Sequence, residues 1–280
     1  MKKILITGIN GYIGRHVAER LKTTAPDIEI VGLDLCKNNF NNDIAFISAD
    51  ISTEARQPEL YQKLGRPDVC LHLAWQDGFN HNAESHIDNL SSHYHFLKNL
   101  IEHGCRHIAV AGSFREYGAH NGLARECDPV VADNYYAWAK TSLYNLLKIF
   151  TAGKDVCLQW LRFFTPYGDD EHNNSILTKI LKWEKEGKTS FPFTEGKEQY
   201  DYIHIDVLAE QIVRIILQEK INGIINCCSG KPTSLKDMVE SFIQEHRLKI
   251  RPEYGAFPSR PYDADVIYGD TTKIKQIMNG

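Results

Sequence analysis

Tyr136 and Lys140 stand four positions apart in Tyr136-Ala137-Trp138-Ala139-Lys140, a spacing that puts both on one face of a helix. A phenol beside an ammonium can move a proton. A free phenol has a pKa of about 10, so acting as a base near neutrality requires it to fall by about 3 pH units, ~4 kcal/mol. A cation about 4 Å away, at an effective dielectric near 20, supplies an interaction of about that size. Alone, such a pair is common on helix surfaces. It gains weight from Ala111-Gly112-Ser113, which closes an apolar run upstream. A hydroxyl at the tip of a central strand lies where open α/β sheets bind ligands. Ser113 could donate to a carbonyl or alkoxide while Tyr136 moves the proton.

A second group of residues could hold phosphate. Thr7-Gly8-Ile9-Asn10-Gly11-Tyr12-Ile13-Gly14 follows a strand-like run and opens a helical one. Gly8 suits a tight turn, Gly11 lets backbone approach a pyrophosphate, and Gly14 lets helix pack on strand. The N–H groups at the helix start present the positive end of a dipole. The G-x-x-G-x-x-G spacing differs from the G-x-G-x-x-G fingerprint, so the loop alone is equally a structural turn. Asp34, 20 residues beyond Gly14, adds a carboxylate that can accept from an adenosine ribose and disfavours a 2′-phosphate. NAD is therefore expected over NADP, with Lys37 keeping NADP open.

The elements that must position these groups are legible. Lys3–Thr7, Glu29–Leu33, Ala45–Ile47, Val69–Leu73, His107–Ala111 and Val156–Leu161 read as strands, apolar enough for a parallel sheet covered on both faces. Helical patterns at about Tyr12–Thr23, Pro58–Leu64, Glu84–His103 and Asn134–Ala152 alternate with them. This βαβ rhythm predicts an α/β fold, a doubly wound, Rossmann-like parallel sheet with a smaller C-terminal substrate lobe. The dinucleotide-binding domain is expected over residues 1–164, with 199–226 able to return to it, and the lobe over 165–280. Later elements are expected at Ile176–Lys185, Phe191–Phe193, Asp206–Gln218, Ile224–Cys227 and Leu235–Glu245.

The 280 residues are 42% hydrophobic and 24% charged, ordinary globular composition. A net charge of −4 offers no broad positive field, so neither nucleic acid nor an anionic membrane is an expected partner. The apolar start Ile4-Leu5-Ile6 is too short for a signal core, and no later run approaches a membrane span. Seven Cys without a C-x-x-C pair read as reduced thiols in a cytoplasmic protein. Cys227 and Cys228 read as core residues, and Tyr135 as packing. His81, His86, His93, His95, His103 and His107 crowd one region without the convergent spacing of a closed metal site, so no metal is expected.

In order along the chain come the glycine loop, Asp34, Asp50-Ile51, His72-Leu73-Ala74, Asn89, Ser113…Tyr117-Gly118 and Tyr136/Lys140. Leu161-Arg162-Phe163-Phe164-Thr165-Pro166-Tyr167-Gly168, Asp201-Tyr202-Ile203-His204 and Arg260-Pro261-Tyr262-Asp263 follow. The chain resembles, over nearly its whole length, the extended short-chain dehydrogenase/reductase superfamily in its nucleotide-sugar epimerase, dehydratase and reductase branch. The resemblance implies hydride exchange between nicotinamide and a sugar carbon, usually C4 of a hexose. It makes Tyr136 the acid/base, Lys140 its activator and ribose anchor, and Ser113 the carbonyl donor. Gly8, Asn10, Gly11, Tyr12, Ile13, Gly14, Asp34, Asp50, Ile51, Leu73, Ala74 and Trp75 would line the dinucleotide, with Asp50 at the adenine. Asn89, Ser113, Thr165 and Arg260 would contact the nucleotide sugar. A homodimer pairing the Glu84–His103 and Asn134–Ala152 helices would follow from the family.

Departures sharpen the expectation. The 4,6-dehydratases of the family place Asp-Glu after the strand-end Thr; here Phe114-Arg115 follow Ser113 and Glu116 comes one position late, so dehydration is not expected. Thr165 replaces a frequent Asn, Tyr200 a frequent Arg, and Trp75–Asn82 is unusual beside the expected sugar site. The early end of the chain suggests a trimmed sugar lobe. A 4-epimerase retaining NAD is favoured by Asp34, and a 4-keto-sugar reductase of deoxysugar biosynthesis is the alternative. A non-catalytic dinucleotide-binding regulatory module is the alternative of another class, opposed by the joint presence of Ser113, Tyr136 and Lys140.

Overall fold

Ile4 and Ile6 pack into one apolar core and Leu5 into another, as alternation requires of a strand covered on both faces. The computed structural model describes residues 2–37, 43–168, 173, 175–258 and 264–280. In chain order the elements are β1 (Lys3–Thr7), α1 (Tyr12–Thr24), β2 (Glu29–Asp34), β3 (Ala45–Ser48), and the single-turn α2 (Ile51–Glu54) and α3 (Leu60–Lys63). Next come β4 (Val69–His72), α4 (Ser85–Asp88), α5 (Leu90–His103), β5 (His107–Ser113), β6 (Gly122–Ala124) and α6 (Tyr135–Thr151). β7 (Cys157–Phe163), β8 (Thr165–Tyr167), α7 (Ile176–Lys185), β9 (Ser190–Pro192), β10 (Gln199–His204) and α8 (Ile205–Ile216) follow. β11 (Gly223–Cys227), β12 (Pro232–Ser234), α9 (Leu235–Glu245), β13 (Arg251–Glu253), β14 (Val266–Gly269) and α10 (Thr272–Asn279) complete the chain.

Seven strands form one sheet in the order β11-β7-β5-β4-β1-β2-β3, every pairing parallel. The doubly wound expectation holds, and the strand order reverses between β1 and β4, the switch point where such sheets bind ligands. α1, α8 and α10 supply Val17, Leu21, Leu208, Ile212, Ile274 and others to the first core. α5 and α6 supply Phe96, Leu97, Leu100, Leu143 and Leu147 to the second. A smaller sheet has the order β12-β10-β14-β6 with β8 added to β10; in the chain, β6 and β8 follow the C-terminal ends of β5 and β7. β9 and β13 pair separately and pack with α7 and α9 around Phe191, Phe193, Val239 and Phe242.

Three details depart from the sequence expectation. The Glu84–His103 helix is interrupted at Asn89 (φ −84°, ψ −10°), whose side chain turns away to donate to Gln76 Oε1 at 3.1 Å. The Pro58–Leu64 helix shrinks to one turn. Within 199–226, Gln199–His204 joins the smaller sheet while α8 and β11 join the large one; α10, near the chain's end, also packs under the large sheet.

Candidate active site

The glycine turn is built by close approach. Gly8 has φ +68°, and a Cβ there would lie 2.8 Å from the Ala74 nitrogen; one at Gly14 would lie 2.3 Å from the Gly8 carbonyl. Gly11 is the N-cap of α1 and brings no side-chain cap, so the first N–H groups of the helix face outward for an anion. The Thr7 hydroxyl accepts from Leu73 N and Ala74 N at 3.2 Å each, tying the ends of β1 and β4 across the switch point. Asp34 closes β2 and accepts the Asn10 N–H at 3.0 Å. The open turn, the uncapped helix start and the carboxylate beyond it fit a dinucleotide's pyrophosphate and adenosine ribose. Tyr12, Ile13 and Leu73 are half-buried beside this turn, against the first core.

Around the strand tips stand the groups for chemistry. Ser113 ends β5 and Tyr136 lies in the first turn of α6, where Asn134 caps by accepting the Ala137 N–H at 2.9 Å. The Ser113 hydroxyl is close enough to favour the Tyr136 phenolate. The Tyr136 N–H donates to the His81 carbonyl at 2.9 Å, anchoring the segment after β4 to the helix. Lys140, one turn on and buried, donates to the Ala111 carbonyl at 2.7 Å. Its Nζ lies 3.7 Å from the centre of the Trp75 ring and 5.7 Å from that of Tyr136.

The expected lowering of the Tyr136 pKa by Lys140 is not what these surroundings produce. Burial pushes the phenol up to about 12 despite the Ser113 hydroxyl, and burial brings the Lys140 ammonium down to about 7. Both charged forms lose water: for Tyr136 that cost outweighs the help of Ser113 and Arg115, and for Lys140 it outweighs the help of Glu116. At neutral pH Tyr136 therefore holds its proton, as a general acid must.

Beneath Ser113 lies a network that spacing alone does not reveal. Glu116, fully buried, accepts from Ser113 N at 2.8 Å, Trp160 Nε1 at 2.9 Å and Arg162 Nε at 3.0 Å. The Arg162 guanidinium covers the Tyr117 ring at 4.3 Å, and Tyr117 Oη donates to Asn226 Oδ1 at 2.8 Å. Glu116 is thus turned into the core, away from the sugar side. The signal for it was a carboxylate and an arginine set in two otherwise apolar strand-end segments.

The remaining predicted residues spread outward. Asp50 caps α2 by accepting from Ser52 N at 2.8 Å, and Ile51 packs beside it on the second core, past the edge strand β3. Thr165 lies on β8 opposite Tyr202, and Asn89 faces Gln76. Arg260 falls outside the described residues. Among the described residues no group of three His, Cys, Asp or Glu side chains could hold a metal ion, and no helix is long and apolar enough to cross a membrane. His86, His93 and His107 are buried and hydrogen-bonded. Cys227 and Cys228 are buried, whereas Tyr135 is 44% exposed rather than packed; it faces outward beside the inward Tyr136.

A parallel doubly wound sheet, a glycine turn at its switch point and a Ser/Tyr/Lys group at its strand tips define an extended short-chain dehydrogenase/reductase. A sequence model of the NAD dependent epimerase/dehydratase family matches residues 4–228, and the chain belongs to that family. It is 40% identical, over 95% of its length and 98% of the relative's, to dTDP-6-deoxy-L-talose 4-dehydrogenase (NAD(+)) of Aggregatibacter actinomycetemcomitans. Its structure superposes with a TM-score of 0.85 on a UDP-N-acetylglucosamine 4-epimerase from Methanobrevibacter ruminantium, at 21% identity, covering 99% of this chain and 91% of that one. A UDP-glucuronic acid 4-epimerase from Bacillus cereus, solved with UDP-glucuronic acid and NAD, gives a TM-score of 0.82 at 21% identity, covering 99% and 93%. The expected family, fold and NAD dependence all agree with these matches.

Proposed function

We propose that this protein interconverts the C4 alcohol and C4 ketone of a nucleotide-activated 6-deoxyhexose as a net NAD-linked dehydrogenase or keto-sugar reductase. The observation that carries this reading is the 40% identity, across 95% of this chain and 98% of the relative, to a dTDP-6-deoxy-L-talose 4-dehydrogenase. That likeness moves the balance from the internally recycling 4-epimerase to the net redox alternative, while hydride transfer at C4 is common to both. A non-catalytic module loses support, since Ser113, Tyr136 and Lys140 meet at one strand tip.

Bound NAD would accept the hydride in oxidation, its positive ring favouring that direction, and NADH would supply it in reduction. Gly8, Gly11 and Gly14, with Asn10, Tyr12 and Ile13, would hold the pyrophosphate. Asp34 would take the adenosine ribose, and Asp50 and Ile51 the adenine. Leu73, Ala74 and Trp75 would border the nicotinamide half. In the reducing direction Tyr136 gives its proton to the C4 oxygen while Ser113 donates a hydrogen bond to it, and the nearby Lys140 charge stabilises the phenolate. Oxidation reverses these proton movements. Thr165, Asn89 and Arg260 are carried as contacts to the nucleotide sugar, and residues 165–280 as the main part of that lobe.

The 4-epimerase is retained as a second reading because of the epimerases that share this fold. Incubation with dTDP-6-deoxy-L-talose and NAD separates the two: stoichiometric reduced dinucleotide supports the dehydrogenase, and a C4 epimer without net reduction supports the epimerase. We also propose a cytoplasmic homodimer. All seven cysteines are unpaired, and α6 leaves Trp138 and Ile149 47% and 75% exposed, apolar surface suited to pairing with a second copy.

A further inference from the structure

The segment after β4 brings one side chain against both members of the Tyr136/Lys140 pair. The Trp75 ring lies 6.2 Å from that of Tyr136, edge to face, and 3.7 Å from Lys140 Nζ. His93 stacks on Trp75 at 4.4 Å and 13°. A parallel ring at that distance occupies one face of the indole, so the ammonium must lie over the other. The ring is also fixed in rotation: Nε1–H donates to His86 Nδ1 at 3.1 Å. The opposite nitrogen of that buried imidazole bonds the Asn80 carbonyl at 2.9 Å. His93 is braced in turn, since its Nδ1 meets His72 Nε2 at 2.9 Å and His72 Nδ1 meets the Thr7 hydroxyl at 2.8 Å. Thr7 Oγ1 accepts from Leu73 N and Ala74 N, which leaves its proton for His72. A chain of contacts thus runs from the glycine turn through two histidines to the indole.

Lys140 is 2% exposed and has three N–H donors to satisfy. The Ala111 carbonyl accepts one, and an aromatic face is the natural neighbour for a desolvated cation. We propose that Trp75 is a positioning residue for Lys140: its buttressed indole face holds the ammonium beside Tyr136 and favours the charged form where water is excluded. This rests on the reading of Tyr136 and Lys140 as the catalytic pair. The other charged or titratable groups around Lys140 are Glu116, whose charge favours the ammonium, Tyr136, and His72 and His93. Burial and the Lys140 charge hold both imidazoles neutral, His93 at about 3.

The test has an optical arm and a kinetic arm. Trp75 emission, taken as the difference between the unmodified protein and Trp75→Phe, is titrated between about pH 5 and about 9 and compared with the same difference in a Lys140→Met background. A component with a midpoint near 7 that vanishes with Lys140→Met is expected. A flat difference, or one unchanged by Lys140→Met, overturns the proposal. In the kinetic arm, Trp75→Leu lowers the alkaline limb of the kcat profile by about one pH unit while Trp75→Phe keeps most of it, because a phenyl face retains much of the cation attraction. Equal profiles for the two variants overturn it as well. The optical arm needs no sugar, so it decides the proposal even if Trp75→Leu fails to fold. A protein inactive on every nucleotide sugar would refute the proposed function instead.

Discussion

Replacing Glu116 by Gln keeps the side chain's size and removes its charge. The three groups that Glu116 accepts from, Ser113 N, Trp160 Nε1 and Arg162 Nε, are all donors, whereas an amide has one accepting oxygen and one NH2 that must face a donor. Arg162, 1% exposed, is left as a buried charge without its counterion. Removing one partner of a buried pair costs about 3–5 kcal/mol. For a chain somewhat above 250 residues each kcal/mol moves Tm by roughly 2–4 °C, so a fall of roughly 6–20 °C is expected. The loss leaves a folded protein if total stability lies in the upper part of the usual range of about 5–15 kcal/mol. Calorimetry and urea denaturation measure it. The double variant Glu116→Val/Arg162→Met should be more stable than Glu116→Gln, since apolar replacement of a whole buried pair is often neutral or stabilising. A Glu116→Gln cost below about 1 kcal/mol would refute the buried-pair argument. Retained stability with abolished turnover would instead make Glu116 a reacting group.

Gly14→Ala should abolish most NAD binding and lower stability, because its Cβ would meet the Gly8 carbonyl at 2.3 Å; calorimetric titration with NAD checks this. Lys140 has a folded pKa of about 7, below its ordinary 10.5, so the folded protein releases that proton first as pH rises. Stability should therefore increase between pH 7 and about 10, by up to ~5 kcal/mol, before the raised Tyr136 pKa reverses the slope. Lys140→Met should flatten the rise in pH-dependent denaturation. If the proposed dimer forms through α6, Ile149→Lys on its exposed stripe should convert it to monomer in sedimentation with little change in Tm; an unchanged sedimentation coefficient would count against that interface.

The parts of the fold with strong periodicity were legible: β1 and α7 fall where their patterns end, because a run of apolar residues and a cap fix both boundaries. Tyr136, Lys140 and Ser113 were legible as a group, since helix spacing and a strand tip place them independently of the rest. The direction of the Tyr136 pKa was not. It depends on how much water surrounds the phenol, and a one-turn spacing to Lys140 says nothing of that. Glu116 and Arg162 are 46 residues apart and meet only because β5 lies beside β7. Trp75 stood out as unusual, yet its contacts with Lys140 and His93 required three elements to converge. The turn at Asn89 and the departure of β10 into the smaller sheet are decided by tertiary packing, which overrides local pattern.

The central claim is that the Tyr136 hydroxyl carries the proton while C4 of a sugar changes oxidation state, and Tyr136→Phe tests it directly. NAD affinity and Tm should remain close to those of the unmodified protein, while kcat on the proposed substrate, dTDP-6-deoxy-L-talose, falls by about 10²–10⁴, the range for a lost general acid/base. Turnover within a few-fold of the unmodified protein, with dinucleotide still bound, would contradict the account.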